Sequence, residues 1–547
     1  MKKITSTILL FLSTIHLLSA QDVKQSYKFR LYLKDKGNTE YSLADPEKFL
    51  SKQSIERKNR QNVAIDEADI PISNDYFNLI TLAGGEVISF SKWFQTIVVQ
   101  LNDSSQINEF LNLSFVDSAK YVWRGSSKRL SKPVRPRLAF SDFTLNMGAQ
   151  DFGRSDAQFA LHNATNMYKS SFSGRGMNIA VIDAGFTNVD VIPYFSGSQI
   201  VEHKSFVPYG ETMVDSDHGT RVLSTILSLV PGKIRGSANG ANFYLLQSEE
   251  VSTEFPVEED YWIRAVEYAD SVGVDVINSS LGYSDFDDKE LNYSHEQLDG
   301  RTAIMSLAAD MAFDKGMIVV TSAGNEGNKP WQKISVPGDA AKALTVGAVD
   351  SEGNIASFSS KGYTADNRMK PDVVSVGRGT TTIGRTGEVG PANGTSFSSP
   401  FMAGMVATLW SINPQIDRGE LLDIIKQSGD RYHNPDSVFG NGIPDMGVAM
   451  AKVLQSLPTH DNQYIDKYIK LIKNEDGSID LTVGESKFDP KLYVVSVIDE
   501  DANMILQKQL DNSNIRLMVG EELNAQMESL FVVVTAPDIQ KVIRLKL

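Results

Sequence analysis

Three segments of this chain hold the residue types that nucleophilic catalysis needs. Asp183 closes the apolar run of VIDAG. His218 lies in DSDHGTRV, ahead of a helical stretch expected over 221–229. Ser396 lies in NGTSFSSPFMAG, where a loop passes into a helix of small residues. A serine hydroxyl is a weak nucleophile until a neighbouring imidazole takes its proton. The imidazole in turn needs a buried carboxylate to fix its tautomer and to stabilise the imidazolium that forms. A serine at a helix N-terminus gains the helix dipole and free backbone N–H groups, both suited to a developing oxyanion. Asn325, in TSAGNEG at an expected strand end, offers its side-chain amide as the second oxyanion donor. Singly, each residue has an ordinary reading: Asp183 as a cap, His218 as a surface loop residue, Ser396 as an N-cap. Together, in the order Asp, His, Asn, Ser, they read as one hydrolytic site.

Two competing motifs fall away. Gly174 and Gly176 precede a strand, whereas a phosphate cradle must follow one and open a helix. GTSFS lacks the second glycine of G-x-S-x-G, and the order of the three residues is wrong for an α/β-hydrolase.

The elements that must hold these residues are legible as short apolar runs: 177–183, 241–247, 274–282, 317–324 and 343–349. Helical patterns lie between several of them, as over 261–272 and 302–315. Buried parallel strands look like this because helices cover both faces of their sheet. The expected fold class is α/β, a doubly wound parallel sheet with its ligand site at the C-terminal strand ends. Asp183, Gly282 and Asn325 fall at those ends.

These segments resemble the motifs of the subtilisin-like serine peptidases, the subtilases. IAVIDAGF is similar to that family's aspartate motif, HGTRV to its histidine motif, AGNEG to its oxyanion asparagine motif and GTSFSSP to its serine motif. VINSSLG, SVPGDAAKALTVGAVD and GNGIPDMGVAM add further matches, and the resemblance runs over about 150–455. It implies Asp183, His218 and Ser396 as the triad and Asn325 as oxyanion donor. It also implies Ser280, Leu281 and Gly282 as backbone contacts to substrate, with Ala323 and Gly324 on the primary pocket wall. The chain departs from the pattern at Ala184 (usually Ser or Thr), Phe397 (usually Met), Phe401 (commonly His) and the SVG of 375–377 (usually APG). None of these removes a catalytic group.

Composition bounds the rest. The chain has 547 residues, enough for about three or four domains. Its 41% hydrophobic and 22% charged residues are too apolar for disorder and too polar for a polytopic membrane protein. A net charge of −15 argues against nucleic acid as a partner. With no cysteine, disulfides, thiol nucleophiles and thiolate metal sites are excluded. Lys2 and Lys3, an apolar stretch and Ser19–Ala20 form a signal-peptide pattern over 1–20, too short for a membrane span.

Residues 21–124 read as a compact α+β unit, with strands over 27–34, 86–101 and 120–123 and a short helix over 105–113. It resembles a Bacteroidetes-type subtilase propeptide, which implies an intramolecular inhibitor and folding aid. A basic, proline-containing stretch (126–138, within a linker of 125–149) reads as a tether or a processing region. The catalytic unit is expected over 150–455 and a polar linker over 456–463. A small antiparallel β-sandwich is expected over 464–547. That last unit resembles the sorting domains of the type IX secretion system, without their YPNP-like opening. The acidic run Glu249, Glu250, Glu254, Glu258 and Glu259 reads either as helix capping or as a rim of the cleft favouring basic substrates.

The expectation is a secreted serine endopeptidase of broad specificity, made as a zymogen and acting on protein or peptide substrates. It needs no cofactor and no catalytic metal, and structural calcium stays open because no contiguous Asp/Asn loop stands out. Two alternatives are a catalytically silent surface binding module and a narrow processing protease.

Overall fold

The computed structural model describes residues 25–126, 135, 152–195, 199–484, 489–519, 527–536 and 539–547. The signal-like residues 1–20 and most of the basic stretch 126–138 lie outside them.

The N-terminal unit contains β1 (Gln25–Leu33), α1 (Lys52–Arg60), α2 (Asn74–Leu82), β2 (Glu86–Ser91), β3 (Thr96–Leu101) and β4 (Val116–Ser126). Its four strands form an antiparallel sheet in the order β2-β3-β1-β4. The 86–101 stretch resolves into the strand pair β2 and β3. Helices α1 and α2 carry no clear apolar period in the sequence. α1 buries Arg57 and Lys58 where an ordinary amphipathic helix would bury leucines.

The central unit is built on β5 (Asn178–Asp183), β6 (Ile200–Ser205), α3 (His218–Leu227), β7 (Asn242–Gln247), α4 (Val257–Val272) and β8 (Val276–Ser279). It continues with α5 (Ile304–Asp314), β9 (Ile318–Ser322), β10 (Leu344–Val349), β11 (Val373–Val376) and α6 (Thr395–Trp410). Seven strands form one sheet in the order β11-β10-β9-β8-β5-β7-β6, and every pairing in it is parallel. The strands alternate between two cores. Ile179 and Val181 face a cluster with Val222, Met402 and Val406 of α3 and α6. Ala180 and Ile182 face Trp262, Ala265 and Met305 of α4 and α5. This is the doubly wound architecture. The chain places β7 on one side of β5 and β8 on the other, so the order reverses at β5. A crevice opens at such a switch point, beyond the carboxyl end of the strand. Asp183 sits there.

The C-terminal strands form two sheets, 463–517 supplying four antiparallel strands and 494–546 four of a second sheet. Thr459–His460, inside the stretch expected as a linker, pairs in parallel with Ile539–Lys546 at the edge of that second sheet. Ile498, Ala502, Phe531 and Val533 belong to the same core cluster as α6. One face of the sandwich is therefore packed on the central unit.

The N-terminal sheet covers α4 through buried charge. Arg30 grips Asp260 with two hydrogen bonds, Nε to Oδ1 at 2.6 Å and Nη2 to Oδ2 at 2.8 Å. Arg57 and Lys58 both reach Asp270 Oδ1, at 2.5 and 2.9 Å. All five side chains are nearly inaccessible to solvent. Such pairs contribute little net stability when intact but cost about 3–5 kcal/mol when one partner is removed. In the full-length chain, Arg30→Ala is expected to lower the unfolding free energy by about that much. Chemical denaturation checks it, and a loss below about 1 kcal/mol, the worth of a surface pair, contradicts it.

Candidate active site

Asp183 is fully buried because it closes a central strand, and the carboxylate meets an imidazole there. His218 Nδ1 lies 2.8 Å from Asp183 Oδ1, which also accepts the Ala184 backbone N–H at 2.8 Å. Since a carboxylate only accepts, Nδ1 carries the proton and Nε2 is left to act as base. Asp183 Oδ2 has no hydrogen-bond partner among the described residues, and the alanine at 184 offers no hydroxyl to reach it.

His218 is the first residue of α3, three residues earlier than the helical stretch expected from the sequence. Gly219 makes the approach possible. A Cβ there would stand 2.4 Å from Gly185 O and 2.8 Å from the Phe186 ring, so a side chain would push α3 off the loop that follows Asp183. Burial opposes an imidazolium at His218, yet the Asp183 carboxylate, with Glu249 and Asp217 behind it, holds its pKa up at about 9.

Ser396 is the second residue of α6, in the turn whose N–H groups lack helical acceptors. Its Oγ donates to Ser280 O at 3.3 Å, so the hydroxyl here is turned toward Ser280, with no hydrogen bond to His218. Phe397, the departure beside it, is nearly buried with its ring centroid 6.0 Å from that of His218. Phe401 packs away from the site, against Phe159 and His162. Ser375, of the SVG departure, bonds His162 Nε2 at 2.8 Å. Burial pushes that histidine down to about 4, a neutral core residue.

Asn325 is oriented by Thr395, which the sequence reading passed over. Asn325 Oδ1 accepts from Thr395 N at 2.9 Å and Thr395 Oγ1 at 3.1 Å, while Thr395 Oγ1 accepts from Gly324 N at 3.2 Å. With its oxygen committed, the amide presents Nδ2 to the cleft. Gly324, at φ +104°, turns the chain out of β9 to bring Asn325 there. The signal for Thr395 was its place, directly before Ser396 in GTS.

One cleft of about 600 Å³ gathers His218, Ser280, Leu281, Gly282, Gly324, Asn325 and Ser396. Ala323 does not join them. It is fully buried in the core beneath α4 and α5, because adjacent residues leaving a strand face opposite ways. The sheet pairings of β8 stop at Ser279, so 280–282 run on as a free edge beside Ser396. A buried network fixes that edge: Asn278 Nδ2 to Ser280 Oγ at 3.0 Å, and Ser280 Oγ to Ser396 O at 3.0 Å. Among the described residues, no three His, Asp or Glu side chains converge to hold a metal ion.

Residues 174–442 match the subtilase family, and residues 28–135 match the peptidase S8 propeptide domain of Bacteroidota. Residues 174–442 are a subtilase domain. Serine protease AprX of Bacillus subtilis is 27% identical over 303 residues, which is 50% of this chain and 65% of AprX, just under two thirds of its length. Subtilisin E of the same organism is 27% identical over 288 residues, covering 52% of this chain and 68% of Subtilisin E. A solved structure, the epidermin leader peptide processing serine protease of Staphylococcus aureus, shares the fold. Its TM-score is 0.53 at 16% identity, covering 79% of this chain and all of that one. The subtilase domain is that of a serine-type endopeptidase.

Two outcomes follow for the subtilase domain. His218 must be neutral to accept a proton, so kcat/KM is expected to rise with pH through about 9. Glu249→Gln removes one charge that holds His218 up and should move this limb to lower pH; a limb that stays in place contradicts the assignment. Thr395→Val removes the hydroxyl's bond to Asn325 Oδ1 and the acceptor of the Gly324 N–H, leaving the amide held by one backbone bond, and should lower kcat about tenfold with KM little changed. Thr395→Ser should restore it.

Proposed function

We propose that the chain is the zymogen of a secreted serine endopeptidase that cuts extended polypeptides through an acyl-enzyme. The observation that carries this reading is the contact of the buried Asp183 carboxylate with the half-exposed His218 at 2.8 Å, opening on a cleft that also holds Ser396 and Asn325.

The substrate lies along the free edge 280–282, pairing by backbone and so admitting many sequences. Ser396 Oγ swings from Ser280 O toward His218 Nε2 and gives it the hydroxyl proton as the Oγ–carbon bond forms. The oxyanion rests on Asn325 Nδ2 and the Ser396 N–H, both in place before the charge develops. The carbon–nitrogen bond then breaks, and His218 hands its proton to the departing amine. Water repeats the sequence on the acyl-enzyme, with His218 first as base and then as acid. Asp183 stays ionised and orients the ring throughout.

The pocket for the residue before the cut is walled by Gly282, Ser322, Gly324 and Ser335, all small. Small walls leave room for a sizeable side chain. The N-terminal unit, matched to the Bacteroidota propeptide, serves as the intramolecular inhibitor, and export uses the pattern in residues 1–20.

Ser396→Ala is expected to abolish labelling by a serine-directed fluorophosphonate. It should reduce peptidase activity about 10⁶-fold, and Asn325→Ala should reduce kcat about 10²–10³-fold, the magnitudes known from subtilisin itself. A mature protein that takes no label is a silent binding module, and the enzyme reading then fails.

A further inference from the structure

Carboxylates line one side of the cleft. Glu249, Glu250 and Glu254, from the loop after β7, and Asp287, from the loop after β8, border the same cavity as His218 and Ser396. None of the four has an ion-pair partner among the described residues; the nearby cations Arg30 and Arg124 are held by Asp260 and Asp288. Glu249 Oε1 accepts from Tyr283 at 3.4 Å. Asp287 Oδ2 accepts from the Glu254 backbone N–H at 3.1 Å. These are weak compensations for crowded negative charge. Burial and the neighbouring Glu254 and Asp183 push Glu249 up to about 8, and burial and Asp287 push Glu254 up to about 7. Glu258, buried behind them, is itself held well above the usual carboxylate range by burial and by Glu249 and Glu254. The carboxylates are spread along the cleft and do not converge on a point, which suits an extended chain bearing cations better than a single ion.

The N-terminal unit brings cations of its own to this wall. Trp123 Nε1 of β4 donates to Thr253 Oγ1 at 3.3 Å, and Thr253 lines the cleft. Arg124 pairs with Asp288 at 3.4 Å, and Lys28 Nζ, 4.0 Å over the Trp123 ring, bonds Tyr261 OH at 3.0 Å in the field of Glu250 and Glu258.

We propose that Glu249, Glu254 and Asp287 select lysine or arginine at acyl-side positions upstream of the residue next to the cut. The residue next to the cut is not the basic one. Its pocket is walled by small neutral residues, and the one acid nearby, Glu326, is paired with Lys329 at 2.8 Å. This rests on the endopeptidase reading above and narrows it from broad specificity to a subsite preference.

The test uses the mature secreted enzyme and paired quenched peptides that differ in one residue, lysine against glutamine, at the second and at the fourth position before the cut. The readout is the ratio of kcat/KM within each pair, so a change in the fraction of active enzyme cancels. We expect a ratio of about tenfold or more for lysine at one or both positions, since hydrogen bonds to charged groups are worth that much. It should shrink at high salt. Glu254→Gln and Asp287→Asn should bring the ratio toward one, and Glu254→Lys should favour a glutamate-bearing peptide. Peptides that are cut with a wild-type ratio near one, or variants that keep the wild-type ratio, overturn this inference alone. If no peptide is cut and the fluorophosphonate does not label, the endopeptidase reading falls and takes the inference with it.

Discussion

Parallel strands all end at the same edge of their sheet, and the rest of this molecule depends on that constraint. Asp183, Gln247, Ser279 and Ser322 are each the last residue of a strand. The residues that follow them are consequently delivered to one crevice: the Ala184–Gly185 turn, the acidic loop after 247, the free edge at 280 and the turn to Asn325. Helices α3 and α6 enter the same crevice by their first turns, His218 and Ser396 leading. A sheet of this kind presents its chemistry on flexible-looking loops whose roots are the most buried strands in the protein. Asp183 shows the benefit. Its burial would be prohibitive for a lone carboxylate, and the imidazole that relieves it is the one that opens on the cleft.

The N-terminal unit meets the central domain through a different kind of contact. An interface cut from a hydrophobic core would hold just as well, yet Arg30, Arg57 and Lys58 are buried against Asp260 and Asp270 of α4. Buried pairs of this sort gain little over apolar packing of the same volume, but they penalise every misaligned arrangement heavily. The sheet is thereby fixed in register on α4, with β4 aimed at the rim of the cleft. An apolar patch, formed by Val98, Val122 and Trp123 against Val257 and Tyr261, fills in between the charges.

How much of this was legible in the sequence follows from what each element buries. Strands β5, β7, β8, β9 and β10 are covered on both faces and appear as unbroken apolar runs. Strand β6, IVEHKS, lies at the sheet edge with exposed and half-exposed side chains and shows no such run. Helix α1 was invisible because what it buries is arginine and lysine, so no apolar stripe marks it. Asp183, His218, Asn325 and Ser396 were legible from residue type and local context, and the structure brings all four to one crevice. Ala323 was misplaced because a motif gives positions along a chain and not the face on which a side chain leaves a strand. Thr395 needed three dimensions, since its meaning lies in a partner 70 residues away, whereas the acidic run at 249–254 was legible as a candidate rim and the structure adds only which of its members border the cleft.

The C-terminal sandwich has one more consequence. Ile498, Ala502, Phe531 and Val533 share a core with α6, the helix whose first turn holds Ser396. Gln507 and Gln540 extend the same seam, bonding Lys169 O at 2.6 Å and Ser411 O at 3.3 Å. A module hung on a string can be exchanged or shed without the rest taking notice. This one is a keystone course: a cut at the 456–463 connection would leave the pieces clasped, and lifting the sandwich away would lay bare part of the core it shares with the central unit.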